Sequence, residues 1–287
     1  MPDTTIHFKM KVGQMYDDVI LADNPVGYWA MTGTISENDL TNRGHTGTYK
    51  GGQPQQAKLP NGDIAAVFDG IQKYLAIPSS PDFSIPTTHK LTWEAWICPT
   101  VLQWTNKSDP YAYGYVDFMG KCQDYGPTCE WEARMYATKN SENRPNRISA
   151  YVFNPSAGLG SAADWQPVAN LIQQGQWYHV VGEYQTITTP APCKSAYPGT
   201  IDIWVNGVKW NFKSHAPTGC MSQYRIVPRR NSSPLNIGTM AFDTWFPGSI
   251  GKVAIYNYLL TQDQITNHFS TMIGYTPIGS CTDTCHF

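Results

Sequence analysis

TIDIWVNGVKW, residues 200–210, decides the architecture. Ile201, Ile203 and Val205 alternate with Asp202 and Trp204, the period of two expected of a strand with one buried face. Asn206-Gly207 follows, and Val208-Lys209-Trp210 resumes the extended pattern. Asn-Gly between two such runs is a strong hairpin signal, because a type I′ turn needs positive φ at both central residues. The chain reads as an antiparallel β-protein.

Working outward, the same short apolar or aromatic run closed by Gly, Pro, Asn or Asp recurs. It is found in DIAAVFDG, KYLAIP, LTWEAWICP, YVDFMGK, CEWEARMYAT, RISAYVFN, QWYHVVGEY, PLNIGTM and GSIGKVAIYNYLL. Only TQDQITNHFSTM reads as a helix, with Thr261 as N-cap, Gln264 completing a capping box and Gly274 placed to stop it. The Pro-rich TITTPAPCKSAYPGT, residues 186–200, lies between two good strands and reads as a long surface loop. With no internal repeat and no low-complexity linker, the expected organisation is an arm at 1–14, one domain at 15–274 and a tail at 275–287.

Composition agrees. Charged residues are 15% of the 287, below the roughly 25% of an average globular protein, while Trp 10, Tyr 17, Gly 24 and Pro 21 favour strands and turns. A formal net charge of -2 with both signs scattered offers no basic stripe, so no nucleic-acid partner is expected. No apolar run approaches the eighteen or so residues of a membrane span, so no membrane partner is expected either. Lys9 and Lys11 interrupt the first fourteen residues where an export signal would need its apolar core.

The seven cysteines are Cys98, Cys122, Cys129, Cys193, Cys220, Cys281 and Cys285, an odd number that leaves at least one without an intramolecular partner. Cys122 and Cys129 flank the turn-forming QDYGPT, and Cys193 and Cys220 lie in Pro-rich loops, so local staples are expected in each region. Cys281, Cys285 and His286 lack a second ligand pair at zinc-finger spacing, which favours disulfide or free thiol over metal.

Four segments in order carry a resemblance. They are ILADNPVGYW ending at Trp29 with the Gly/Asn-rich DLTNRGHTGTY, then AAVFDGIQKYLAIPSSPDFS with LTWEAWI, then GQWYHVVGEY with IDIWVNGV, and finally FPGSIGKVAIYNYLLTQDQI with NHF. Together they resemble the laminin-G-like branch of the concanavalin A-like lectin and glucanase jelly rolls. The resemblance implies a sandwich of two curved antiparallel sheets, able to hold a ligand on the concave side. In LTWEAWI, strand alternation puts Trp93, Ala95 and Ile97 on one face and Glu94 and Trp96 on the other.

The related laminarinase-like hydrolases carry Glu-x-Asp-x-Glu on one strand, so that two carboxylates flank a glycosidic bond. That motif is absent. The nearest substitute is Glu130-Trp131-Glu132 with Arg134 on the same face, which Glu94 is expected to approach on the same sheet; ion pairing or a solvated face explains these residues equally well. His179 lacks a recognisable Ser, Cys or Asp partner, and His45 and His268 offer no better case, so no catalytic residue is assigned. The resemblance also implies a structural calcium ion beside the Gly/Asn-rich turn with Asp39 as ligand. Gly251-Lys252 stands where an Asp-Glu pair is frequent in that family, and an ammonium in place of two anionic oxygens weakens a hard-cation site.

Glu94, Trp96, Glu132, Arg134, Trp104, Tyr113 and Trp165 are the ligand-binding candidates, since carboxylate–guanidinium pairs bond hydroxyls and aromatic faces stack on sugar rings or anchor interfaces. Tyr111 and Tyr115 share the loop-rich setting of Tyr113. The sequons at Asn106 and Asn231 bear on function only in a glycosylating compartment.

The opening stretch also resembles laminin-G-like domains of bacteriophage tail and capsid-surface proteins and of secreted bacterial proteins. The expected function is therefore a non-enzymatic virion surface protein (capsid decoration, fibre or minor tail subunit), made in the host cytoplasm. It would bind virion neighbours and host glycans as an oligomer within the particle, docked by the arm at 1–14. The alternatives are a secreted bacterial carbohydrate-binding module and a glycan hydrolase or lyase lacking the usual motif.

Overall fold

The computed structural model describes residues 15–104, 114–123, 128–141, 143–153, 161–165, 172–186, 200–210 and 228–274. The arm, the tail, Tyr111, Tyr113, the sequon at Asn106 and Cys193, Cys220, Cys281 and Cys285 lie outside them.

Two eight-stranded antiparallel sheets form a sandwich. The first runs in the order Val208–Lys209, Thr200–Val205, Tyr178–Gln185, Lys90–Pro99, Pro247–Tyr256, Ile64–Asp69 and Gln55–Lys58, with Gly27–Trp29 also paired to Pro247–Tyr256. The second runs Ser161–Trp165, Ile148–Val152, Trp131–Tyr136, Tyr115–Lys121, Leu235–Ile237, Tyr74–Ile77, Gly47–Lys50 and Ser36–Glu37. Asn206 (φ 53°) and Gly207 (φ 77°) turn the hairpin between paired Val205 and Val208, as the positive-φ requirement of that turn demands.

Between the sheets lie Trp29, Trp93, Ile97, Phe118, Trp131 and Ile250 among other fully buried side chains. Trp93, Ala95 and Ile97 all point there, as alternation expects. Trp93 needs a gap in the neighbouring strand, and Gly182, its register partner, provides it: a Cβ at 182 would lie 2.3 Å from the indole ring. The Trp93 indole N–H then donates to the Tyr184 hydroxyl at 2.9 Å, so this buried indole is not left polar and unpaired.

The single-helix expectation is corrected. Gln262–Met272 is helical with the capping box of Thr261 and Gln264, but Tyr16–Ala22 is helical as well, and Ile85–Thr88 forms a further short turn of helix. Tyr16, Val19 and Ile20 make a buried stripe at i, i+3 and i+4, with Asp17 and Asp18 favourable in the first turn. Seven residues are too few to hold a helix in water, so the packing of Tyr16 and Ile20 against the first sheet supplies what local propensity cannot.

The Tyr16–Ala22 and Gln262–Met272 helices cover the outer face of the first sheet. Tyr16, Ile20, Ile265 and Met272 pack there on Tyr28, Trp96, Val181, Trp204 and Tyr256, a second apolar layer separate from the sandwich core. Cys122 and Cys129 are paired as a disulfide, matching the staple expected there, and Cys98 is a buried free thiol.

Candidate functional site

Strand alternation turns Glu94 and Trp96 away from the core, yet they do not reach the surface. The helix layer seals them at 0% and 1% exposure. Glu94 is the hub of a buried network: one carboxylate oxygen meets His179 Nε2 at 3.0 Å and His268 Nδ1 at 2.9 Å, and the other accepts the Tyr256 hydroxyl at 2.6 Å. His268 Nε2 reaches on to Asp23 at 2.8 Å, and the Trp96 indole donates to the Tyr16 hydroxyl at 3.0 Å.

Burial works to neutralise Glu94, but the two imidazoles outweigh it and hold the carboxylate below its usual range. Burial lowers His268 too, yet Glu94 and Asp23 together push it up to about 9, so it is an imidazolium with both N–H groups bonded. His179 is lowered by burial and stays neutral; an ionised Glu94 accepts only, so the proton sits on Nε2, and Nδ1 has no partner. A carboxylate–imidazole pair so enclosed fastens helices to a sheet and has no access to substrate.

Glu132 and Arg134 lie in the other sheet, which corrects the expectation that Glu94 approaches them. They point outward from Trp131–Tyr136 while Trp131, Ala133 and Met135 enter the core. Arg134 Nη1 bonds Glu132 at 3.0 Å, and the guanidinium carbon stands 4.3, 5.0 and 5.2 Å from the ring centres of Tyr151, Tyr115 and Tyr136. Burial pushes Glu132 above the ordinary carboxylate range and neighbouring Asp117 pushes the same way, against Arg134. Asp117 Oδ2 in turn accepts the Thr244 hydroxyl at 3.0 Å. Glu130 is separate: it pairs with Lys121 at 3.0 Å, both fully buried, and accepts from Ser84.

Asp39 does not fit a calcium ion. Its oxygens accept the Tyr28 amide at 3.2 Å, the Thr41 amide at 3.0 Å, the Thr41 hydroxyl at 2.7 Å and the His45 amide at 3.1 Å. Four donors aimed at one carboxylate present hydrogens where a hard cation needs oxygens. The final strand carries Lys252 in a bulge at φ 53°, and its ammonium bridges Asp17 at 2.6 Å and Asp63 at 2.8 Å. That fixed positive charge ties the first helix to the sheet. Among the described residues no group of three or more His, Cys, Asp or Glu could hold a metal ion.

Trp104 is placed where a ligand can reach. It lines a cavity of about 190 Å³ with Gly70, Val101, Val116, Asp243, Thr244, Trp245 and Pro247. The Trp104 indole N–H has no hydrogen-bond partner. Beside the cavity, Tyr74, Phe242 and Trp245 form a ring cluster with centroids 5.1 to 6.0 Å apart. Phe242 is held at φ 64° and is 38% exposed, an outlier for a bulky residue of the sort that clusters at functional sites. Trp165 pairs with Ile148 at the edge of the second sheet. Tyr74, Phe242, Asp243 and Trp245 were missed in the sequence; FDTWF, with three aromatics around an Asp just before Pro247, was the signal available.

A family model described as the concanavalin A-like lectin/glucanases superfamily matches residues 69–266. No curated protein sequence matches the chain. Among solved structures, domain 4 of AbnA, a GH43 extracellular arabinanase from Geobacillus stearothermophilus in complex with arabinotriose, is similar at 18% identity and TM-score 0.53, with 85% of this chain and 97% of that one covered. Botulinum neurotoxin type C, whose cell entry depends on interaction with two ganglioside molecules, is similar at 8% identity and TM-score 0.58, covering 87% and 51%. Trypanosoma rangeli sialidase in complex with sialic acid is similar at 14% identity and TM-score 0.51, covering 87% and 33%. At these identities the likeness is one of fold, a fold shared by glycan-binding and glycan-cleaving proteins.

Proposed function

The chain belongs to the concanavalin A-like lectin/glucanases superfamily, and from that premise we propose that it is a non-enzymatic glycan-binding surface domain. The observation that carries this reading is the cavity between Trp104, Trp245 and Asp243, where two indoles and a carboxylate meet at half-buried positions. Concave sites lined by aromatic rings with a few polar groups are how proteins hold small organic rings. The buried carboxylates offer no comparable case for catalysis, since Glu94 and Glu130 are committed to ion pairs and Glu132 is 1% exposed. The arabinotriose, ganglioside and sialic acid named for the neighbours agree in ligand class.

The test is retention on immobilised polysaccharides together with a reducing-end assay. The wild-type chain is expected to be retained without releasing sugar, and the Trp104→Ala, Trp245→Ala double variant to pass through. Release of sugar that disappears in Glu132→Gln would make the protein a glycan hydrolase or lyase and overturn the non-enzymatic reading.

Display on a virion, as a decoration, fibre or tail component, is the second half of the proposal. It is motivated by the likeness of residues 16–29 to phage surface domains and by the packing together of the helices nearest the two ends of the chain. None of the cavity residues belongs to those helices. Electron microscopy of particles from the source material is expected to locate ordered copies on a capsid or tail. Finding the chain free in culture fluid instead would replace this with the secreted-module reading.

A further inference from the structure

We propose that Lys121 and Asn231 become joined by an isopeptide bond that the folded chain makes for itself, with Glu130 as the catalytic acid and base. This goes beyond the glycan-binding reading and does not depend on it.

The three side chains meet at one end of the second sheet. Lys121 ends the Tyr115–Lys121 strand, Glu130 precedes Trp131–Tyr136, and Asn231 leads toward Leu235–Ile237. Lys121 is the register partner of both Trp131 and Leu235, and the Cys122–Cys129 disulfide joins the residues next to Lys121 and Glu130. The Lys121 Nζ lies 3.0 Å from Glu130 Oε1 and 3.1 Å from Asn231 Oδ1, and the Lys121 and Glu130 side chains are 0% exposed. The Asn231 Cγ is one C=O bond, about 1.2 Å, from that oxygen, which leaves the amine no more than about 4.3 Å from it. Attack takes place at about 3–3.5 Å, a side-chain adjustment away.

An ammonium is no nucleophile, and burial acts against it. Burial lowers Lys121 against the pull of Glu130, with Arg230 adding to the lowering, and burial raises Glu130 against the contacts that favour its charge. Both shifts favour passing one proton along the contact from Nζ to the Glu130 carboxylate. The free amine then attacks Cγ. Charge gathering on Asn231 Oδ1 is met by the Ser233 amide, which donates to that oxygen at 2.9 Å as an oxyanion-hole donor does.

The Nζ–Cγ bond forms and the Cγ–Nδ2 bond breaks. Glu130 gives a proton to Nδ2 and takes one from Nζ, so ammonia leaves, Glu130 ends as the acid it was, and no oxidant or co-reactant is consumed. Glu130 Oε2 is buried and has no hydrogen-bond partner, which leaves it free to carry the proton. The product ties two residues 110 positions apart, and closures of long loops restrict the unfolded chain most.

The test is mass spectrometry of the folded full chain, intact and after proteolysis with the disulfide reduced. Expected are a chain one ammonia lighter than its sequence and a joined peptide containing Lys121 and Asn231. In Glu130→Gln, with its fold checked by circular dichroism, the joined peptide should be lost completely and the full mass of the variant restored. Separate Lys121 and Asn231 peptides in the wild-type chain, with or without a glycan on Asn231, would overturn the proposal whether or not the variant folds. So would ammonia loss mapped only to Asn61 or Asn206, each followed by Gly and able to cyclise without a lysine. A joined peptide that survives in folded Glu130→Gln would overturn the role of Glu130 and leave the bond.

Discussion

Glu94→Ala is expected to cost about 3–5 kcal/mol of folding stability, because removing one partner of a buried charge network leaves the others uncompensated in the interior. His268 would keep its charge with one carboxylate where it had two, and the Tyr256 hydroxyl and the His179 Nε2–H would lose their acceptor. Against a typical total of about 5–15 kcal/mol, that is enough to leave the variant marginal. Urea unfolding followed by tryptophan fluorescence measures it. Glu94→Gln, which keeps shape and some of the hydrogen bonds but not the charge, should fall between wild type and alanine. Hydrogen exchange should show the loss first in Gln262–Met272, which carries His268, while Tyr16–Ala22 keeps the Asp17–Lys252 ion pair to the sheet. A loss below about 1 kcal/mol would show that apolar packing of the helix layer holds it without the network.

The second large effect is on pH dependence. His268 titrates at about 9 in the folded protein and near 6.5 when unfolded. A folded value raised above the unfolded one contributes stability that is fully present below about 6.5 and is lost as pH rises through about 9. The difference amounts to about 3 kcal/mol, counted once for the contact that also depresses Glu94. The unfolding free-energy gap between wild type and His268→Gln should therefore shrink by about that much between pH 6 and pH 10.

Using the gap cancels groups common to both proteins, among them Glu183, which burial raises to about 7. On the acid side the sign reverses. Glu94 and Asp23 are depressed, so their contribution is present above about pH 4 and is lost as pH falls through their folded values. A gap that stays flat from pH 6 to 10 would mean that His268 is neutral in the folded protein.

What was legible in the sequence was whatever repeats at short range. Alternation in LTWEAWI assigned Trp93, Ala95 and Ile97 to the core, Asn206-Gly207 fixed a hairpin and its register, and Thr261 with Gln264 marked a helix start. Each signal is set by backbone geometry over a few residues, so neighbours in sequence suffice to read it. The family resemblance placed these pieces in one sandwich, and the family match over residues 69–266 agrees.

The site was decided by tertiary structure. Alternation showed that Glu94 and Trp96 leave the core, but only the packing of two helices far apart in the chain showed that this outer face is buried too. Glu132 and Glu94 have the same local look, and pairing between distant strands put them in different sheets. Asp39 resembled a metal ligand until the fold brought four hydrogen-bond donors to its oxygens. The cavity joins Gly70, Trp104 and Trp245 from three loops. Sequence determines which way a side chain leaves its own strand; what it meets there depends on contacts between residues tens to hundreds of positions apart, and burial, charge and access follow from those contacts.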